Sequence, residues 1–266
     1  MQTNPVVDSI TIYPVKSLDG ISLQTAQIGN GGCLLHDREY AIVDRNDKFV
    51  KGKNSDLVYL LRSKIDFETE TISFRQQSEE TRNRFHLQKD KHAINEFLSS
   101  FFKIPVTLIR NTEGEFLDIP VQSGVTVLSK ASLQTVGAWF NDMDLDETRK
   151  RFRATIEITG VPAFWEDKHF LEEGTAIEFK IGDITLYGGA HVPGVWCQHA
   201  ILKQEKRFTD FLKYLHNKEL RLYHLGQHYQ IMAMPIIYRL IVTYLQQKLE
   251  SGLQLAMNLR SLAKKD

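Results

Sequence analysis

Apolar residues in this chain recur mostly with period two, in short runs cut by turn-forming residues, the pattern of strands half-buried in a sheet. Ile10 and Ile12 alternate with Ser9, Thr11 and Tyr13 until Pro14 stops the run. Residues 40–44 and Phe49-Val50 flank the polar Arg45-Asn46-Asp47-Lys48, which predicts a hairpin. Ile72 and Phe74 mark another strand, and residues 106–109 and 125–128 two more. Phe152, Ala154, Ile156 and Ile158 alternate with Arg151, Arg153, Thr155 and Glu157, predicting a strand that carries both arginines on one face. Ile177, Phe179 and Ile181 turn at Gly182-Asp183 into Ile184 and Leu186. Helical spacing is rarer. It predicts a helix over 93–102, stopped by Pro105, and another from Ser132 with Leu133, Val136, Trp139 and Phe140 inward. A short helix is expected at Phe208, Phe211, Leu212 and Leu215. In the tail, Ile236, Ile237, Leu240, Ile241, Tyr244, Leu245 and Leu249 predict an amphipathic helix.

Strands interleaved irregularly with fewer helices predict a mixed α/β, strand-rich fold. Largely antiparallel sheets or a distorted barrel fit it better than a doubly wound parallel sheet. The polar Asn111-Thr112-Glu113-Gly114-Glu115 is the natural connection between two halves. Three parts are therefore expected, 1–115, 116–230 and a helical C-terminal extension over 231–266.

Lys plus Arg and Asp plus Glu both number 33, so the overall basic excess that phosphate neutralisation favours in nucleic-acid-binding proteins is missing, and no nucleic-acid partner is expected. The two cysteines, Cys33 and Cys197, form no Cys-x-x-Cys pair, which fits a reducing compartment and a reduced thiol. No uncharged apolar stretch approaches the ~20 residues of a bilayer span, and no signal peptide is visible. A cytoplasmic protein without membrane contact is the expectation. The apolar stripe of the tail reads as core or as the contact of a homo-oligomer. Phosphate loops, dinucleotide fingerprints, His-Glu-x-x-His and Gly-x-Ser-x-Gly are all missing from the sequence. Cys33, following Gly31-Gly32, reads as core, and Arg151 and Arg153 suit a solvated face as well as a binding surface.

Several local sequences, in order, resemble one family. Tyr13-Pro14-Val15-Lys16-Ser17-Leu18-Asp19-Gly20 resembles the opening signature of the N-terminal β-barrel domain that accompanies the molybdenum-cofactor sulfurase C-terminal (MOSC) domain. Asp37-Arg38-Glu39-Tyr40 and the following Ala41-Ile42-Val43-Asp44 resemble that domain's Asp-Arg strand. Leu128-Ser129-Lys130-Ala131-Ser132-Leu133 resembles the entry to the MOSC domain proper, to which 116–230 would correspond. Arg151-Phe152-Arg153 and Ala163-Phe164-Trp165-Glu166-Asp167 resemble its Arg-Phe-Arg-Pro-Asn strand and Glu-Asp turn, and Cys197 falls where the family keeps its cysteine. Three places depart from the pattern. Trp196 stands where reductases of the family have Arg, Ala154-Thr155 replaces Pro-Asn, and no closing strand follows Leu225-Gly226-Gln227.

The resemblance implies a molybdenum-cofactor (Mo-molybdopterin) oxidoreductase that reduces N-hydroxylated compounds with electrons from a separate donor protein. It implies that Cys197 is the molybdenum ligand and catalytic residue. Lys16, Ser17, Arg38, Ser129, Lys130 and Arg153 would line the cofactor, and Val195 and Trp196 would lend backbone beside the thiolate. Two other classes stay open at this point. One is a sulfur carrier with a persulfide on Cys197, exchanging with sulfur donor and acceptor proteins. The other is a non-catalytic cofactor-binding or interaction module. Full-length sulfurases add a pyridoxal-phosphate enzyme, which a chain of this length is not expected to contain. The chemistry favours a thiolate for molybdenum or persulfide sulfur, and nearby cations to lower its pKa.

Overall fold

The computed structural model describes residues 4–29, 32–52, 54–112, 116, 124–140, 143–166, 177–192, 239–243 and 256–258. They form the strand-rich mixed α/β fold that the periodicities predict. The first strand, β1 (Val6–Ile12), is followed by the short β2 (Ile21–Leu23) and β3 (Thr25–Gln27). Next come β4 (Tyr40–Asp44), a 3-10 helix (Asp56–Leu60), β5 (Leu61–Asp66), β6 (Thr71–Gln76), β7 (Asn83–His86), α1 (Lys91–Phe102) and β8 (Val106–Arg110). The rest of the chain supplies β9 (Val125–Ser129), α2 (Lys130–Gly137), α3 (Leu145–Phe152), β10 (Ile156–Thr159), β11 (Ile177–Ile181), β12 (Ile184–Val192), β13 (Arg239–Thr243) and β14 (Ala256–Asn258).

Seven strands make the main sheet in the order β11-β12-β13-β9-β10-β1-β2. All its neighbours run antiparallel except β9 and β10. Two-stranded sheets join β14 to β3 and β4 to β8, and β5, β6 and β7 form a meander. Among the described residues no sheet closes on itself, so the expected barrel is an open sheet ending at β11 on one side and at the three-residue β2 on the other.

The alternation in β1 is broken once. A register shift between Val7 and Ser9 puts Val7, Ile10 and Ile12 all in the core. One apolar cluster joins β1 to Val125, Val127, Ile156, Ile158, Ile181, Ile184 and Leu186. A second, confined to residues 15–106, closes the meander and β4 against α1 through Ile72, Phe74, Ile94, Leu98 and Phe102. Those helix positions recur every four residues, as one buried face requires. Lys103, left-handed at φ 58°, ends α1 just before Pro105.

Three expectations need correction. The strand foreseen from Arg151 starts only at Ile156, because residues 145–152 are α3. Asp144 caps that helix by accepting from Glu147 N, acidic residues fill its first turn, and Arg149, Lys150 and Arg151 its last. Each arrangement favours a helix there. Thr155 and Glu157 are buried, since β10 is flanked on both sides by β9 and β1. The second helix begins at Lys130, two residues before Ser132, because Ser129 is its cap. In the tail, 239–243 and 256–258 are strands rather than helix, so the 231–266 extension is not helical throughout. Ile241, Val242 and Thr243 are β-branched, and the backbone of β13 fills the gap between β12 and β9. The helix expected near Phe208 lies outside the described residues. Among the described residues no helix is long and apolar enough to cross a membrane.

Candidate functional site

The chain leaves β1 at Ile12 and turns through Tyr13-Pro14-Val15-Lys16-Ser17-Leu18 beside the start of β4. Lys16 N donates to Tyr40 O (2.7 Å) and Tyr40 N to Pro14 O (2.9 Å), while Ser17 takes the left-handed region at φ 70°. Asp19 holds the far side of the turn, accepting from Arg62 and from Ser63 N at 2.8 Å each. Asp37 and Arg38 stand just before β4. Arg38 is left-handed (φ 52°), and its N–H donates to Tyr13 O at 2.9 Å. Arg153 is the left-handed residue that ends α3, at φ 54°. Its sequence neighbours Ala154 and Thr155 lead into β10, where Thr155 and Thr126 exchange backbone-to-hydroxyl hydrogen bonds of 2.7 and 2.9 Å.

Three separate parts of the sequence thus meet at one aromatic ring. The guanidinium of Arg153 lies 4.0 Å, and that of Arg38 4.9 Å, from the centroid of Tyr13. Arg38 Nη2 donates to Arg153 O (3.3 Å), and Arg153 Nη1 to Leu18 O (2.6 Å). Lys16 joins from the side. Its Nζ donates to Phe116 O (2.6 Å), and Phe116 N in turn donates to Arg38 O (2.9 Å). Lys16 and Arg38 are each only 7% exposed, so both charges are held largely away from water.

Asp37 is the carboxylate inside this group. Buried to 1% exposure, it accepts from Tyr13 N at 2.7 Å and from the Arg38 guanidinium. Burial alone would lower the Arg38 pKa, but Asp37 outweighs it and holds the guanidinium's pKa above its ordinary value. Glu39, two residues on, is engaged elsewhere. It accepts from Arg110 Nε and pairs with His36 Nδ1, both at 2.5 Å. Burial pushes the Glu39 pKa up, yet the hydrogen bonds from His36 and Arg110 win and hold it below the usual carboxylate value. A carboxyl group acidified by folding contributes stability above its unfolded pKa, about 4.3, and loses it as pH falls through the folded value. Urea unfolding of Glu39→Gln is therefore expected to show a shallower loss of stability below pH 4.5 than wild type. An unchanged acid limb would contradict the pairing.

The expected cofactor-lining residues divide into two groups. Lys16, Arg38 and Arg153 converge, with Ser17 in the same turn. Ser129 and Lys130 do not join them. Ser129 is fully buried, caps α2 through Ala131 N (3.1 Å) and donates to Pro162 O (3.1 Å). Lys130 pairs with Asp8 at 2.9 Å. Thr126 marks the end of β9 near Arg153 and Ser129 the other end, three residues and so ~10 Å away. Val195, Trp196 and Cys197 lie outside the described residues. Cys33 is buried, as expected of a core position, and Gly124 N donates to its sulfur at 3.1 Å. Among the described residues no group of three or more His, Cys, Asp and Glu is placed to hold a metal ion.

Two residues of this cluster had no role assigned from sequence. Tyr13 supplies the platform and Asp37 the buried counter-charge. The available signals were an aromatic residue directly before the proline that ends β1, and an acid directly before the arginine of the second motif.

The family comparison agrees with the part of the chain that holds the turn, the Asp-Arg pair and the meander. The MOSC N-terminal beta barrel domain family matches residues 4–113. Residues 4–113 belong to that family. Membership points to a function connected with the molybdenum cofactor. No curated protein matches the chain.

Proposed function

We propose that this chain binds the molybdenum cofactor and acts as an oxidoreductase that reduces N-hydroxylated compounds, with electrons from a separate donor protein. The observation that supports this reading is the meeting of Arg38 and Arg153 at the Tyr13 ring, with Asp37 paired to Arg38 and Lys16 joined to the same group through Phe116. Lysine and arginine side chains of this kind suit the phosphate of a pterin cofactor, which needs compact positive charge and fixed N–H donors. Each cation already rests on a backbone carbonyl or on Asp37, so little ordering cost remains when an anion arrives. In this reading Lys16 acts as a point charge, and Arg38 and Arg153 present planar donors from the turn before β4 and the end of α3. Ser129 and Lys130, with their own partners at the far end of β9, take no part in the phosphate grip. Cys197 would hold the metal as a soft thiolate, and Val195 and Trp196, which precede it in sequence, would lend backbone there. The cofactor, once bound, supplies two-electron redox chemistry.

The test is the pterin content of the full chain isolated from cells that make the cofactor, measured by fluorescence after oxidation. Losing one charge-assisted contact costs about 1.5–3 kcal/mol, or ~10–100-fold in affinity, so Lys16→Met and Arg153→Gln are expected to retain far less pterin than wild type. Folded variants that keep the wild-type pterin content would overturn the reading.

A further inference from the structure

We propose that the cavity between α1 and the β4–β8 pair is a binding site for a small monocarboxylate with an apolar tail, its carboxylate met by the Tyr40 hydroxyl, the Asn95 amide and the Lys91 ammonium. The proposal does not depend on the cofactor reading above.

The cavity follows from how this part of the chain packs. Tyr40 and Arg110 stand opposite each other in the antiparallel β4–β8 ladder, and α1 packs against the same pair of strands. The space left between them measures about 120 Å³. Leu87 and Ile94, both buried, and Leu108 give it an apolar wall. An apolar cavity of ~150 Å³ takes up benzene, so this one has room for a ligand of about six heavy atoms.

The polar groups that line it are donors. Asn95 Oδ1 accepts from Leu108 N at 3.0 Å, so the amide's remaining capacity is its Nδ2 hydrogens. Tyr40 is only 5% exposed, and its hydroxyl makes no hydrogen bond among the described residues. Burial, with Glu39 adding to it and Arg110 opposing, pushes the Tyr40 pKa up to about 12. The hydroxyl therefore stays protonated and calls for an acceptor, since a buried polar group is costly without a partner. Lys91, the first residue of α1, forms no ion pair among the described residues. Arg110 does not add to its charge. The Arg110 guanidinium is bound to Glu39 and serves as wall, 5.6 Å from the centroid of the Tyr40 ring. Glu70, which also raises the Tyr40 pKa, does not line the cavity and stands 4.0 Å from His86. Donors and one cation beside an apolar wall match a carboxylate carried on a hydrocarbon tail. Its oxygens accept from Tyr40 and Asn95, its charge suits Lys91, and its tail lies against Leu87, Ile94 and Leu108.

Isobutyrate, with six heavy atoms, serves as the probe, titrated into the full chain and followed by ligand-observed NMR, with urea unfolding of each variant alongside. Wild type is expected to saturate in the millimolar range, at a Kd of ~1 mM, as suits so small a ligand. Tyr40→Phe keeps the ring and is expected to bind ~10-fold or more weakly, the cost of one hydrogen bond to a charged group. Lys91→Gln, on the surface and safe for folding, is expected to bind a few-fold more weakly and carries the test should Tyr40→Phe not fold. Isobutyramide has the same shape without the charge and is expected to bind ~10-fold more weakly than isobutyrate. Wild type without saturable binding overturns the proposal and leaves the cavity to water. So do folded Tyr40→Phe or Lys91→Gln binding like wild type, and isobutyramide binding as tightly as isobutyrate. Loss of isobutyrate binding in Arg153→Gln would place the carboxylate at the Tyr13 cluster and overturn the proposal while leaving the cofactor reading in place.

Discussion

Arg38→Met is expected to cost the fold about 3–5 kcal/mol, the usual penalty for removing one partner of a buried ion pair. Asp37 is 1% exposed and Arg38 7%, and they are neighbours in one hydrogen-bonded group. Without the guanidinium, the Asp37 carboxylate stays buried with the Tyr13 N–H as its remaining contact from this group. Arg38 Nη2 also joins Arg153 O across 115 residues of sequence, so the substitution loosens the attachment of the β10 region to the first turn. Urea unfolding near pH 7 measures the loss. Combining Arg38→Met with Asp37→Asn is expected to recover much of it, because no uncompensated charge is then left inside. A single variant within 1 kcal/mol of wild type would mean that water reaches this pair freely.

The second large effect concerns the proposed metal ligand. Cys197→Ser is expected to purify as a folded protein without molybdenum, whereas Cys33→Ser retains it. A serine hydroxyl is harder than a thiolate and stays protonated at neutral pH, so the near-isosteric change removes the ligand chemistry and little else. Cys33 provides the control. It is buried against Gly124 as a core residue, and a hydroxyl there can still accept the Gly124 N–H. Metal analysis by mass spectrometry reads both variants. Molybdenum retained by Cys197→Ser would move the metal site away from the residue that the motif order selects.

Much of this architecture was legible in the sequence, and the places where it was not have specific causes. The helix α1 was readable because Ile94, Leu98 and Phe102 recur every four residues ahead of Pro105. The hairpin of β11 and β12 was readable from its alternation about Gly182-Asp183. The helix α3 was hidden because Phe152 and Ala154 happen to continue the alternation of β10 backwards across a left-handed residue, Arg153. The Asp144 cap with Glu147 three residues later was the better signal. The strand β13 failed for a different reason. The short apolar run Leu240-Ile241-Val242 fits either period, and what decides it is pairing with β12 and β9, which are distant in sequence. The site divides likewise. Lys16, Arg38 and Arg153 were recoverable as motif residues, but their meeting point depends on Tyr13 and on contacts between distant segments. Ser129 and Lys130 carried a motif signal equally well, yet the direction of β9 puts them at its other end.

The central claim is that the cationic cluster around Tyr13 and Cys197 together serve one molybdenum cofactor. The direct measurement takes the full wild-type chain from cells that make the cofactor and determines molybdenum and pterin on the same folded sample. The account predicts one molybdenum and one pterin per chain. A folded chain carrying neither would contradict it.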